Sequence, residues 1–229
     1  MIDQMTAKGR IVAAAMRLAG ERPWSEVSLV DVAGAAGVTL ADVRREAGGK
    51  RDILAAFARM IDDEVLMRAR KPAEGVGKRD SVFEVVMSRF DALSPYRAAL
   101  RSISKSGALD PSLVGSFLSS QTWMLNAAGI ETGGLAGAAR IAGLASVYAS
   151  VFQTWLEDDD PGLARTMAAL DRRLRRGERT LKTMDDVMCA VGRTLKSFRA
   201  GRSEKQQGEG ASPAGAAAAS QPPSAPPAP

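Results

Sequence analysis

Five prolines, at positions 23, 72, 95, 111 and 161, divide the first 200 residues into stretches whose apolar side chains recur with a helical period. Proline starts or stops a helix far more easily than it continues one, so each marks a break. Between the breaks Ala and Leu are abundant, the period is 3.6 rather than 2, and no Asn-Gly or Asp-Gly hairpin signal occurs. The pattern predicts helices over 6–21, 28–36, 40–46, 50–70, 81–93, 96–105, 111–128, 134–157, 161–177 and 183–200. No internal repeat is visible. The fold class is all-α.

The other six prolines lie in residues 201–229, together with runs of alanine and serine and no aromatic or branched aliphatic side chain. Such a segment cannot bury enough apolar surface to offset its ordering entropy, and it is expected to be a disordered tail. About 200 residues remain, enough for one domain with a real core or two small ones. The chain has no histidine, which excludes imidazole metal ligands and imidazole bases. One cysteine, Cys189, excludes an intramolecular disulfide framework and cysteine-rich zinc sites. The N-terminus MIDQMTAKGR lacks the apolar core of a secretory signal, and no uninterrupted apolar run approaches the ~20 residues that span a bilayer. A soluble, cytoplasmic chain is expected.

The net charge of +5 is unevenly placed. Residues 165–205 hold twelve Lys/Arg against five Asp/Glu, whereas residues 1–164 hold nineteen against twenty. Any argument for nucleic acid or anionic membrane must respect that late location.

The first 70 residues have the most informative organisation. A four-turn helix carries Ile11, Val12, Ala15, Leu18 and Ala19 on one face. Ser28 is placed to cap a short helix with Leu29, Val32, Ala33 and Ala36 inward. Gly37 allows a sharp turn, Val38 packs beneath it, and Thr39 is placed to cap Leu40–Glu46. Two short helices joined by a tight glycine turn form a helix-turn-helix, whose second helix can lie in a major groove. Gly48-Gly49 ends that helix and Lys50 opens a long one.

The stretch IVAAAMRLAGERPWSEVSLVDVAGAAGVTLADVRREAGGKRDILAAFARMI resembles the N-terminal domain of TetR-family regulators. The matching features are Ile11/Ala15/Leu18, Trp24, the Ser28-Leu29-x-x-Val32-Ala33-x-x-Ala36-Gly37-Val38 core, Lys50 and Ile53-Leu54. The resemblance implies a helix-turn-helix domain over 1–50 and a helical ligand-binding and dimerising domain over 51–200. It implies a homodimeric transcriptional regulator, usually an effector-released repressor, on a palindromic operator in double-stranded DNA. The dimer is expected through helices 134–157 and 161–177, since that family pairs through its late helices. On this reading Leu40, Ala41 and Arg45 meet base edges while Thr39, Arg44 and Lys50 meet phosphates. Asp42 lies among them. The family's recognition helix usually ends in Tyr, a basic residue, His or Tyr, and Phe; here stand Arg44, Arg45, Glu46 and Ala47. Ala47 removes an anchoring ring and Glu46 repels phosphate, so a vestigial helix-turn-helix kept as a folding unit competes with the DNA-reading one.

A second, shorter resemblance joins DSVFEVVMSRFDALSPYRAALRSI, LDRRLRRGE and the basic last helix to the ubiquinone-biosynthesis lipid-binding proteins. That family has a TetR-like fold, binds isoprenoid lipid and touches membranes with its last helix. It supplies the alternative function: a lipid-binding accessory protein at the membrane surface.

Two further constellations follow from helical spacing. Phe83, Val86, Met87, Phe90, Phe117, Trp123, Met124, Tyr148, Phe152 and Trp155 fall on inward faces, as a lining for a hydrophobic ligand or lipid or as ordinary core. In 183–200, Met184, Val187, Met188, Val191, Leu195 and Phe198 form one stripe with Arg193, Lys196 and Arg199 off it. That helix is read as packing on the domain, as a dimer seam, or as lying on anionic lipid in peripheral membrane contact. No GxGxxG after a strand, no GxxxxGK[ST] and no histidine-activated nucleophile occurs, so neither an enzyme nor a cofactor is expected. The acidic run Glu157-Asp158-Asp159-Asp160 precedes Pro161, where it favours a helix N-terminus.

Overall fold

The computed structural model describes residues 4–107 and 113–178. The basic last helix expected at 183–200, with its apolar stripe and its Arg193, Lys196 and Arg199, lies outside the described residues, as does the tail at 201–229. Only helices and turns occur among the described residues. In chain order the helices are α1 (Ala7–Glu21), α2 (Leu29–Ala36), α3 (Leu40–Glu46), α4 (Lys50–Arg68), α5 (Lys78–Leu93), α6 (Arg97–Lys105), α7 (Val114–Ala127), α8 (Gly134–Leu156) and α9 (164–178). Short 3-10 turns, Trp24–Glu26 and Ser94–Tyr96, precede α2 and α6.

Local chemistry fixes the helix-turn-helix. The Thr6 hydroxyl accepts from the Gly9 N–H at 3.0 Å and starts α1. Ser28 and Asp31 form a reciprocal capping box on α2, and Thr39 and Asp42 form another on α3. Each box satisfies N–H groups that the first turn of a helix leaves without partners. Gly37 sits at φ +62°, a left-handed conformation that a side chain resists, and the Val38 N–H returns to the Ala33 carbonyl. A tight turn between two short helices results.

Two helix starts differ from the sequence pattern by three residues. α5 begins at Lys78 rather than 81, because Asp80 and Ser81 already donate backbone N–H groups to the Gly77 carbonyl. α9 starts three residues after Pro161, because the acidic run forms a cap ahead of it. Asp160 accepts from the Gly162 and Ala164 N–H groups, and Asp158 from the N–H and hydroxyl of Thr166 at 2.8 and 2.7 Å.

All described residues belong to one compact unit, Met1–Arg179. α1 packs on α2, α4 and α6, while α4 also packs on α5 and α7, and α7 on α8. The boundary expected at residue 50 is therefore the first residue of a helix that serves both halves. α6 is tied on two more sides. The Trp24 N–H donates to the Ser102 hydroxyl at 2.9 Å, and that hydroxyl donates to the Arg22 carbonyl. Arg97 and Arg101 donate to the Asp158 and Leu156 carbonyls at the C-terminal end of α8, which need outside partners.

These caps make stability pH-dependent. Hydrogen bonds from the Ser28 hydroxyl and N–H hold Asp31 below its ordinary pKa of 3.8, and Thr39 does the same for Asp42. Burial opposes ionisation of Asp158, but the bonds from Thr166 and Asp160 outweigh it, and its pKa is lowered too. A carboxylate with a depressed folded pKa contributes its stability above the unfolded value and loses it as pH falls through the folded one. The three contributions are thus intact above about pH 4 and are lost progressively as pH falls below it. A variant carrying Asp31→Asn, Asp42→Asn and Asp158→Asn should melt earlier at neutral pH yet lose less between about pH 4 and pH 2. Equal losses in thermal melts of both proteins would sink this account.

Candidate functional site

α3 has one wholly buried side chain, Val43, which points into the small core formed with α1 and α2. Every other side chain but the cap partner Asp42 is exposed. Thr39, Leu40, Ala41, Arg44, Arg45 and Glu46 therefore share one accessible surface, as the spacing predicts. Leu40 is half exposed although apolar. Ala47 is buried at the end of α3, where its N–H donates to the Val43 carbonyl, and with Val43 it holds the helix against the core.

The cations on this surface are not equivalent. Arg45 pairs with Asp42 three residues back while its own side chain stays 74% exposed. Arg44 makes no ion pair among the described residues. Arg10 of α1, absent from the sequence-based set, lines a cleft with Thr39 and Asp42. Its sequence signal is only that it lies off the apolar stripe of α1. Lys50 has partners within the chain. Expected on phosphate, its Nζ instead donates to the Trp24 and Val27 carbonyls at 2.5 and 2.7 Å and lies 4.3 Å from the Trp24 ring centre. Desolvation lowers its pKa. The ammonium bridges the turn between α1 and α2 and spends two of its three N–H donors there.

A cavity of about 320 Å³ lies among α4, α5, α6, α7 and α8. Phe117, Tyr148 and Phe152 line it, as expected from their spacing. Phe90 and Trp155 do not. They form a second layer behind, stacked at 5.2 Å on Tyr148 and 5.6 Å on Phe152 respectively, and both are wholly buried. Val86 and Met124 are core. Met87 packs on the core outside the cavity, and Phe83 lines a separate cleft with Met167 and Asp171 against α9. Trp123 is 52% exposed. It lies six residues, or about 240°, from Phe117 around α7, off the face that carries Ser120, Gln121 and Met124 inward. Size and hydrophobicity nominated it; phase excludes it.

The cavity's polar wall was missed. Arg89 is 6% exposed, and its guanidinium pairs with buried Asp62 and donates through Nε to the Tyr148 hydroxyl at 3.1 Å. The Ser120 hydroxyl donates to the other Asp62 oxygen at 2.5 Å. Burial raises the Tyr148 pKa and the Arg89 cation only partly opposes it, so the phenol keeps its proton. The signal existed: Arg89 stands on the apolar stripe Val82, Val85, Val86, Phe90, Leu93 of α5.

No protein-family model matches the chain, and no curated protein matches it in sequence. Among solved structures the chain is similar to three TetR-type regulators. With that from Nitrosomonas europaea the TM-score is 0.61 at 22% identity, over 76% of this chain and 98% of the other. With one from Rhodococcus sp. RHA1 it is 0.58 at 21%, over 76% and 97%. With one from Streptomyces coelicolor it is 0.55 at 18%, over 83% and 88%. These likenesses are of fold: the all-α architecture is that of TetR-type transcriptional regulators.

Proposed function

We propose that the protein is a cytoplasmic, DNA-binding transcriptional regulator that reads a palindromic operator as a homodimer and is released by a small apolar effector. The observation that carries this reading is the surface of α3. Leu40, Ala41, Arg44 and Arg45 project outward from a helix anchored by Val43 and Ala47, in a fold shared with solved regulators. Small residues let the helix approach base edges closely, and arginine can read guanine through two parallel hydrogen bonds. Thr39 and Arg10, on the cleft beside its N-terminus, add phosphate contacts.

The dimer reading is supported by α8. Leu135, Ala138, Ala142, Ser146 and Ala149 are exposed along one face, all small but the first. Among the described residues α8 is also the one helix long and apolar enough to cross a membrane by length and composition, with mean hydropathy 1.4 over its most apolar stretch. Such a face is suited to burial against its own copy. Ala142→Glu should convert the dimer to monomer at micromolar concentration, as read by analytical ultracentrifugation; a wild type that is itself monomeric there would refute the dimer.

Effector control is supported by shared helices. Leu54 and Phe57 of α4 line the cavity one and two turns from Lys50, which holds the Trp24 turn, and α6 touches both the cavity and Ser102's partners. The direct test is a salt titration of binding to the gene's own upstream DNA and to random DNA, with anionic vesicles in parallel. A preference for own DNA of about a thousandfold that survives physiological salt supports the regulator. Vesicle binding without sequence preference overturns it in favour of the lipid-binding alternative, which rests on the short resemblances between residues 80 and 200 and which no comparison favours.

A further inference from the structure

Resting on the reading of the cavity as an effector site, we propose that its ligand is an uncharged amphiphile: an apolar body of about ten carbons carrying one carbonyl or comparable hydrogen-bond acceptor, held by Tyr148. The effector class follows from charge balance on the buried wall. Arg89 and Asp62 are both more than nine-tenths buried and are paired, so the wall carries no net charge. An anionic head placed beside it would introduce an unpaired buried negative charge, and a cationic head an unpaired positive one; both are strongly disfavoured at low dielectric.

What the wall still offers is a donor. The Tyr148 oxygen accepts from Arg89, and the phenol proton is given no acceptor among the described residues. Asp62 does not line the cavity and has one oxygen on Arg89 and the other on Ser120, so it offers little to a ligand donor. The remaining lining, including Leu54, Phe57, Leu100 and Ile103, is mostly aliphatic or aromatic, and its other polar groups, Ser116, Ser120 and Gln153, are neutral, so it suits an apolar body and offers no counter-charge. At about 30 Å³ for each small group, roughly 320 Å³ admits a chain of about ten heavy atoms.

The test uses the full-length protein and two ligands of equal length, 2-decanone and decanoate, titrated calorimetrically at about pH 8, where decanoate is ionised. The ketone should bind at least tenfold tighter. Lowering pH toward 6 should leave the ketone unchanged and tighten the apparent affinity of decanoate about tenfold per unit, because only its protonated form fits. The titratable groups on the lining are Arg89 and Tyr148, with Asp62 paired to Arg89 beyond it, and no histidine in the chain confounds the series. Tyr148→Phe should weaken the ketone about tenfold, approaching the affinity of the bare chain. Decanoate binding as tightly as the ketone at pH 8, a pH-independent decanoate affinity, or no binding of either ligand would each overturn the proposal. Operator binding by the unliganded protein is scored separately, so loss of the effector assignment and loss of the regulator reading are distinguishable.

Discussion

Arg89→Ala should cost about 3–5 kcal/mol of stability, a large fraction of the ~5–15 kcal/mol that a domain of this size holds in total. The reason is asymmetry. Removing the guanidinium leaves Asp62 charged in a site where it is less than a tenth exposed, and it also strips the Tyr148 oxygen of its donor. Replacing both partners with apolar residues of similar volume, Asp62→Leu with Arg89→Met, should recover most of the loss, because no uncompensated charge remains. Urea unfolding of the two single variants and the double variant closes a cycle that separates this coupling from simple loss of packing. An Arg89→Ala cost under about 1 kcal/mol would show that the pair is solvated in solution.

DNA affinity should collapse in Arg45→Glu. Loss of a bidentate base contact is worth about 1–3 kcal/mol, and reversing the charge adds repulsion from phosphate, so own-operator binding should fall at least about a hundredfold. The fold should survive, since the side chain is mostly exposed and its partner Asp42 stays in its capping box with Thr39. Arg44→Glu should instead weaken specific and random DNA alike and flatten the salt dependence by about one unit, the mark of a phosphate contact. Gel-shift titrations across salt concentrations distinguish the two. Unchanged binding in both variants would remove α3 from the interface.

The helix-turn-helix was legible in the sequence because its determinants are local. Ser28, Gly37 and Thr39 each act within four residues, and each was found where its side-chain chemistry requires. Helix ends were less legible where the deciding group is a backbone carbonyl, as at Gly77, or a cap built across a loop, as from Asp158 to Thr166. The cavity was half legible. Periodicity finds which side chains face inward, but it cannot separate those that line a cavity from those stacked one layer behind, so Phe90 and Trp155 were indistinguishable from Tyr148 and Phe152. Trp123 shows the opposite error, a large apolar residue out of phase with its helix. Lys50 could not be read at all, because the carbonyls it satisfies lie 23 and 26 residues away. The cavity's polar wall had a clear signature that hydrophobic counting discards: an arginine in an apolar stripe requires a buried acid from another element.

A helix fixed to its domain through Val43 and Ala47, with its first turn closed by its own capping box, is interchangeable in everything but its outward face. Substitutions at exposed positions away from such anchors usually change stability by no more than ~0.5 kcal/mol. Leu40, Ala41, Arg44 and Arg45 can therefore drift or be randomised together without endangering the scaffold. On the proposed regulator reading, selection can rewrite which DNA sites the chain answers to while leaving its effector cavity untouched.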